Sequence, residues 1–265
     1  MLIKAVRPAR RAAMNDDFDL TIIGSGGAAF AAAIRASTLG GRVVVIERDE
    51  IGGTCVNTGC VPSKTMLAAA DTLHRSGLGL FDGISTSAQA PDLGALVAQK
   101  DDLVAGLRQA KYVDLANEYG FEILRGHATF DGDDQLLVGD RTIRATSYLI
   151  ATGADQSIPQ VTGLREAGYL TSTTAMNLKA VPRHLTIIGG GFVGMEQGQL
   201  FSRLGSQVTI VGRLAPHAEP ELAEWIGRVF ADEGITVICE RAVTVETDTG
   251  ATVLVTDNGT TSTVA

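Results

Sequence analysis

No run of about 18 consecutive apolar residues occurs in the 265-residue sequence, which excludes a membrane-spanning helix. Positive charge is scarce: 22 Lys and Arg stand against 30 Asp and Glu, a net charge of −8. Four of those cations, Lys4, Arg7, Arg10 and Arg11, precede Met14 in a stretch without an acid, so the rest of the chain carries 18 basic against 30 acidic residues. A body of that charge repels a polyanion, so no nucleic-acid partner is expected. The basic leader lacks the apolar core of a secretory signal and the Ser enrichment of a transit peptide. It is expected to be a disordered tail, residues 1–16, with Met14 as an alternative start. Cysteine is limited to Cys55, Cys60 and Cys239. A chain of this length buries enough surface without disulfide staples. With a cytoplasmic location and no membrane partner expected, a close Cys pair points to redox chemistry or metal binding. The four histidines, His74, His127, His184 and His217, are scattered without metal-ligand spacing.

Glycine is in excess, at 31 residues, or about 12% against a usual ~7%. Its two densest clusters each follow a short apolar run. FDLTII at 18–23 leads into Gly24-Ser25-Gly26-Gly27-Ala28-Ala29, an Ala-rich helical segment and VVVIE at 43–47. LTII at 185–188 leads into Gly189-Gly190-Gly191-Phe192-Val193-Gly194, the segment MEQGQLFSRLG and VTIV at 208–211. Strand, glycine turn, helix and strand make a βαβ unit. Two such units predict an α/β chain with two Rossmann-like nucleotide-binding domains, over 17–155 and 156–265. Between them the sequence predicts helices over about 62–73 and 92–119, then strands over 121–150, with YLIATGA at 148–154 closing the first domain. Leu222, Trp225, Ile226, Val229 and Phe230 fall on one helical face, ended by Gly234. ITVIC at 235–239 reads as a buried strand, with Cys239 an inert hydrophobe. TVLVT at 252–256 before Asn258-Gly259 opens a hairpin. No further parallel strand follows, so the chain is expected to stop inside its second domain.

Gly24, Gly26 and Ala29 fit the G-x-G-x-x-G/A pattern, in which glycines form the turn and let backbone approach a pyrophosphate at a helix N-terminus. A plain tight turn is the alternative for a lone match. Here Glu47 also ends the second strand, where an acid bonds a ribose hydroxyl. Gly189, Gly191 and Gly194 repeat the pattern, but the strand after that helix ends in Gly212-Arg213. A cation in place of an acid favours NADPH over NADH, unless Arg213 is an ordinary surface charge. Cys55 and Cys60 lie in GGTCVNTGCVPSK, at the start of a helix whose dipole, with Lys64 one turn on, favours a thiolate. Two inert core cysteines are the alternative.

GGTCVNTGCVPSK resembles the redox-active segment of the flavin-dependent pyridine nucleotide–disulfide oxidoreductases, and both glycine fingerprints, the Cys pair and the ATG segment occur in that family's order. Within the family, IGSGGAAFAAAIRA, LVAGLRQAKYVDLANEYGFEILRG and YLTSTTAM resemble the mercuric reductase branch. The resemblance implies FAD on the first domain, held by Gly24, Gly26, Ala29, Glu47, Thr54 and Ala151-Thr152-Gly153. It implies NADPH on the second, at Gly189, Gly191, Phe192, Gly194 and Arg213, with Phe192 covering the nicotinamide pocket; core packing is the alternative for that ring. Cys60 would be the thiol nearest the flavin and Cys55 the outer one, both able to ligate Hg(II), and Lys64 would pair with Glu196. Hg(II)–thiol complexes or a disulfide are the implied substrates. Dihydrolipoyl dehydrogenases usually carry an acid at the position of Gly212, and glutathione reductases a second Lys at Ser63. Family members continue into a C-terminal dimerisation domain that is absent here. A homodimer is therefore expected of the full-length form, and a catalytically incompetent nucleotide-binding fragment is a further alternative for the chain as given.

Overall fold

The computed structural model describes residues 17–79, 81–132, 134–248 and 251–264. The expected tail over 1–16 lies outside them. The chain opens with β1 (Asp17–Ile23), α1 (Gly27–Thr38), β2 (Val43–Glu47) and the short α2 (Gly53–Asn57). Then come α3 (Cys60–Gly77) and α4 (Leu93–Arg108), which runs through a π-helical turn at Gln109–Val113 into α5 (Asp114–Tyr119). Four strands follow, β3 (Glu122–Arg125), β4 (Ala128–Phe130), β5 (Gln135–Val138) and β6 (Arg141–Ile150). The second half contains α6 (Leu164–Ala167), α7 (Ser172–Ala175), β7 (His184–Ile188), α8 (Phe192–Arg203), β8 (Gln207–Val211), α9 (Pro220–Asp232) and β9 (Thr236–Ile238). It closes on β10 (Ala242–Asp248), β11 (Ala251–Thr256) and β12 (Thr261–Val264).

These elements form two compact units. One takes the described residues up to Asn57 together with Ala105–Ala154; the other takes Thr58–Val104 together with the chain from Asp155 onward. The first is a six-stranded sheet in the order β3-β2-β1-β6-β5-β4, parallel from β3 to β6 and antiparallel from β6 to β4. The unbroken apolar run of β2 suits a parallel strand covered on both faces. Strand periodicity sends Val43 and Val45 into a cluster with α1, and Val44 and Ile46 into another with Leu136 and Ile143. Ala29 and Ala33 of α1 have no exposed surface, and their small side chains let the helix lie close on the sheet.

The second unit has two three-stranded sheets, parallel β7-β8-β9 and antiparallel β10-β11-β12. Met66 and Ala70 of α3 and Leu93 and Val97 of α4 share one core with Met195, Leu200 and Phe201 of α8 and Ile210 of β8. This packing differs from the expected division at residue 155, because the shared core draws residues 58–104 into the second unit. Lys100 of α4 is 4% exposed, and its Nζ donates to Asn177 Oδ1 at 2.6 Å and to the Met176 carbonyl at 3.3 Å.

Two sequence expectations need correction. Only Phe230 and Ile226 of the periodic α9 face reach the core, while Leu222, Trp225 and Val229 are exposed at 44, 64 and 44%. Trp225 instead lies under the Arg228 guanidinium, 4.9 Å from the ring centroid, inside the ~6 Å over which a cation is drawn to an aromatic face. Cys239 is exposed, because β9 ends at Ile238 and the thiol falls just past the strand. The hairpin at Asn258-Gly259 forms between β11 and β12, with Gly259 at φ 81°.

Candidate active site

In the first unit the glycine loop is held by contacts that forbid any side chain. Gly24 has φ 100°, and a Cβ there would meet the Ala151 carbonyl oxygen at 2.3 Å. Gly26 caps α1 in extended conformation without a side-chain cap, leaving first-turn N–H groups available to an anion. Glu47 anchors the loop: its Oε2 accepts from Ser25 N at 3.1 Å and Ser25 Oγ at 2.6 Å, and its Oε1 from Asp49 N at 2.9 Å. A carboxylate has about four lone-pair sites, so Oε1 retains one for a ribose hydroxyl. Ser25 Oγ in turn accepts from Gly52 N at 3.0 Å. On the far side of the loop, Ala151 N donates to the Ile23 carbonyl at 2.8 Å, and Gly153 sits at φ 71° with Thr152 exposed before it.

The same contacts pin the first cysteine. Gly53 opens α2 at φ 65°, and a Cβ there would lie 2.5 Å from the Gly26 Cα. Thr54 and Cys55, the next two residues, are exposed. Asn57 closes α2: its Nδ2 donates to the Ile51 carbonyl at 3.0 Å, and its Oδ1 accepts from Arg108 Nε at 2.9 Å. The Tyr112 ring, in the π-helical turn, stacks edge-on to Phe30 at 4.7 Å and borders Gly52. Burial, and after it the charge of Cys55, pushes the Tyr112 hydroxyl above its ordinary value. Ser25, Gly53 and Asn57 were not singled out from sequence. The Gly52-Gly53 doublet ahead of Thr54-Cys55 was the available signal.

In the second unit α3 starts at Cys60, with Gly59 as its N-cap, and Ser63 N donates to the Gly59 carbonyl at 3.1 Å. Cys55, Cys60 and Cys239 are all exposed residues, and no disulfide occurs among the described residues. One turn beyond Cys60, Lys64 Nζ donates to Glu196 Oε1 of α8, the pairing that the resemblance implied. Phe192, one turn before Glu196, begins α8 and is 65% exposed, which removes core packing as its role. The second glycine loop is tighter still. A Cβ at Gly194 would be 2.0 Å from the Gly189 carbonyl oxygen, and one at Gly190 would be 2.3 Å from that of Arg213. Gly191 caps α8 in extended conformation without a side-chain cap. Arg213 is exposed and lines a cavity of about 500 Å³ with Gly189 and Gly212.

Two βαβ units with glycine loops, the first carrying a cysteine helix against its loop, have the architecture of a dinucleotide-binding protein with a thiol beside the first loop. The chain matches the pyridine nucleotide-disulphide oxidoreductase family over residues 18–265 and belongs to that family. It is 52% identical to the mercuric reductase of Streptomyces lividans over 228 residues, covering 83% of this chain and 48% of that protein. It is 47% identical to the mercuric reductase of Staphylococcus aureus over 225 residues, covering 84% of this chain and 41% of that one. The chain thus spans about half or less of the length of these relatives. Among solved structures, a Cu(II) complex of a mutant of the HOCl-induced flavoprotein disulfide reductase RclA from Escherichia coli superposes with a TM-score of 0.81 at 26% identity. That match covers 94% of this chain and 55% of RclA. No helix among the described residues is long and apolar enough to cross a membrane.

Proposed function

We propose that this chain is the nucleotide-binding, thiol-bearing part of an oxidoreductase that uses NADPH and FAD to reduce Hg(II) to Hg(0). The observation that carries the reading is the clamp between Gly26 and Gly53, which ties the cysteine-bearing α2 to a phosphate-binding loop. The loop fits FAD: Gly24 and Gly53 close it against neighbouring backbone, while a Cβ at Gly26 would meet nothing nearer than 3.9 Å and one at Gly27 nothing within 4 Å, which leaves bare backbone that a pyrophosphate can approach. Ala29 lets α1 seat close beneath, Glu47 offers a lone pair to ribose, and Thr54 with the Ala151-Thr152-Gly153 turn borders the same crevice. Gly189, Gly191 and Gly194 would receive the NADPH pyrophosphate, Arg213 its 2′-phosphate, and Phe192 would cover the nicotinamide side. Bound FAD supplies hydride acceptance from NADPH and two-electron delivery.

The remaining chemistry belongs to the side chains. Cys55 and Cys60 as thiolates are soft ligands that displace small thiols from Hg(II) by exchange. Lys64 places a cation one turn from Cys60, and Glu196 holds that cation in position. Overall, NADPH loses two electrons and Hg(II) gains them. Hg(0), which no longer needs thiolate ligands, departs. Cytoplasmic location and, in a full-length form, a homodimer accord with this reading. A disulfide substrate is the second reading, because the same dithiol serves thiol–disulfide exchange equally well.

The test is Hg(II)-dependent NADPH oxidation by a longer form carrying this chain, run beside lipoamide and glutathione disulfide. Cys60→Ala is expected to lower turnover at least ~100-fold while leaving FAD absorbance intact, as loss of a nucleophile does. Unchanged turnover in that variant would overturn the assignment, and faster turnover of a disulfide would favour the second reading. Retention of FAD by the 265-residue chain without NADPH oxidation is expected if catalysis needs residues beyond it.

A further inference from the structure

The cavity of about 500 Å³ in the second unit has Gly189 and Gly212 at the carboxyl ends of β7 and β8, the place where an open α/β sheet binds a nucleotide. Its far wall, however, is the segment Cys239-Glu240-Arg241 that follows β9. Two exposed guanidiniums, Arg213 and Arg241, therefore line one crevice. Neither makes an ion pair among the described residues. Two acids, Glu240 and Asp257, line the same cavity, and each accepts a hydrogen bond from an uncharged donor and not from either guanidinium. Thr256 Oγ1 donates to Glu240 Oε2, and Arg241 N donates to Asp257 Oδ1 at 3.1 Å. Position 212, where an acid would read a ribose 2′-hydroxyl, is closed to one: it has φ 136°, and a Cβ would lie 3.1 Å from Gly190 N. What the crevice offers a ligand is two guanidiniums outside any ion pair among the described residues, and no carboxylate at position 212.

We propose that Arg241 is a specificity-determining residue that, together with Arg213, holds the 2′-phosphate of NADPH. The inference rests on the reading of this unit as an NADPH site and goes beyond it, because Arg241 lies on a different strand connection from Arg213. A phosphate dianion is the group two guanidiniums recognise best, through parallel N–H···O bonds that a ribose hydroxyl cannot match. Cys239, adjacent to Glu240 on the same wall, reports occupancy of the cavity.

Binding of 2′-phospho-ADP-ribose and of ADP-ribose to the 265-residue chain, measured by calorimetry, tests the proposal without turnover. The chain is expected to prefer the phosphorylated ligand. Arg241→Ala should weaken that ligand about tenfold or more, as loss of a charge-assisted hydrogen bond does, with ADP-ribose changed by less than about threefold. Arg241→Lys should restore part of the preference, and Arg213→Ala with Arg241→Ala should abolish it. In a chain carrying Cys55→Ser and Cys60→Ser, saturating 2′-phospho-ADP-ribose should slow alkylation of Cys239 several-fold. A preference unchanged in Arg241→Ala, or alkylation unaffected by ligand, overturns the role of Arg241 and leaves the NADPH reading standing. Equal affinity of the unmodified chain for both ligands overturns that reading itself, and the inference with it.

Discussion

A methyl group at residue 53 would sit 2.5 Å from the Cα of Gly26, at a backbone φ of 65° that already disfavours any Cβ. Gly53→Ala is therefore expected to lose about 2 kcal/mol or more of stability. It should also lose FAD retention, as seen by thermal unfolding and by the visible spectrum after gel filtration; a normal flavin content would separate α2 from the phosphate loop. The contrast with Gly26 explains what was readable in advance. Gly24, Gly26 and Ala29 announce themselves because their reasons are local: a turn, a helix start and a helix seat within six residues. Gly53, Ser25 and Asn57 have partners far along the chain, in Gly26, Glu47 and Arg108, and nothing in a linear pattern records such pairings. Lys64 and Glu196 were paired ahead of the structure by resemblance alone, since 132 residues separate them.

At the scale of elements, α8 is tied to its neighbours by Arg203. Its Nη2 donates to Glu233 Oε1 at 2.6 Å, beyond the end of α9, and its Nη1 to Asp71 Oδ1 of α3 at 3.0 Å. Burial works to raise the Glu233 carboxyl, but the hydrogen bond and charge of Arg203, helped by Gln199 and His74, outweigh it and hold the group below its ordinary 4.5. A carboxyl depressed in the folded state contributes stability that is present above the unfolded value and is lost as pH falls through the folded one. Urea denaturation should thus show the native chain losing stability below about pH 4.5. Glu233→Gln should flatten that dependence and cost roughly 1–3 kcal/mol at pH 6, the usual worth of a hydrogen bond to a charged group, because Arg203 keeps Asp71 as its other partner. An equally steep acid limb in the variant would place the titration elsewhere. Helix and strand types were legible from periodicity because most of these elements bury one face. Helix α9 shows the limit of that logic, since Leu222, Trp225 and Val229 continue the periodic face yet stay exposed. Cys239 shows another: a run of apolar letters marks a strand but not the residue at which it ends.

For the whole molecule, the two units were legible from the doubled glycine pattern, but their membership was not. Residues 58–104 follow the first βαβ unit in sequence and pack with the second, because Met66, Ala70, Leu93 and Val97 complete the core around α8. A long exposed stretch, 81–90, joins α3 to α4. Among the described residues, limited proteolysis is expected to cut there first. The nicked chain should still elute as one species, because both flanking helices are held by the same core; separation into two peaks without denaturant would contradict that packing.

The interleaving also sets an order in time. On the ribosome, β1 cannot meet its neighbour β6 until residues 24–140 have been made, and the helix that begins at Cys60 waits longer, for α8. During that wait the apolar side of α3, with Met66 and Ala70, has emerged with its permanent cover not yet synthesised. Contacts so distant in sequence fold slowly and leave sticky surface open meanwhile. The helix bearing Cys60 is thus among the first parts of the second unit to be translated, yet its apolar side stays open to aggregation until α8 has been made.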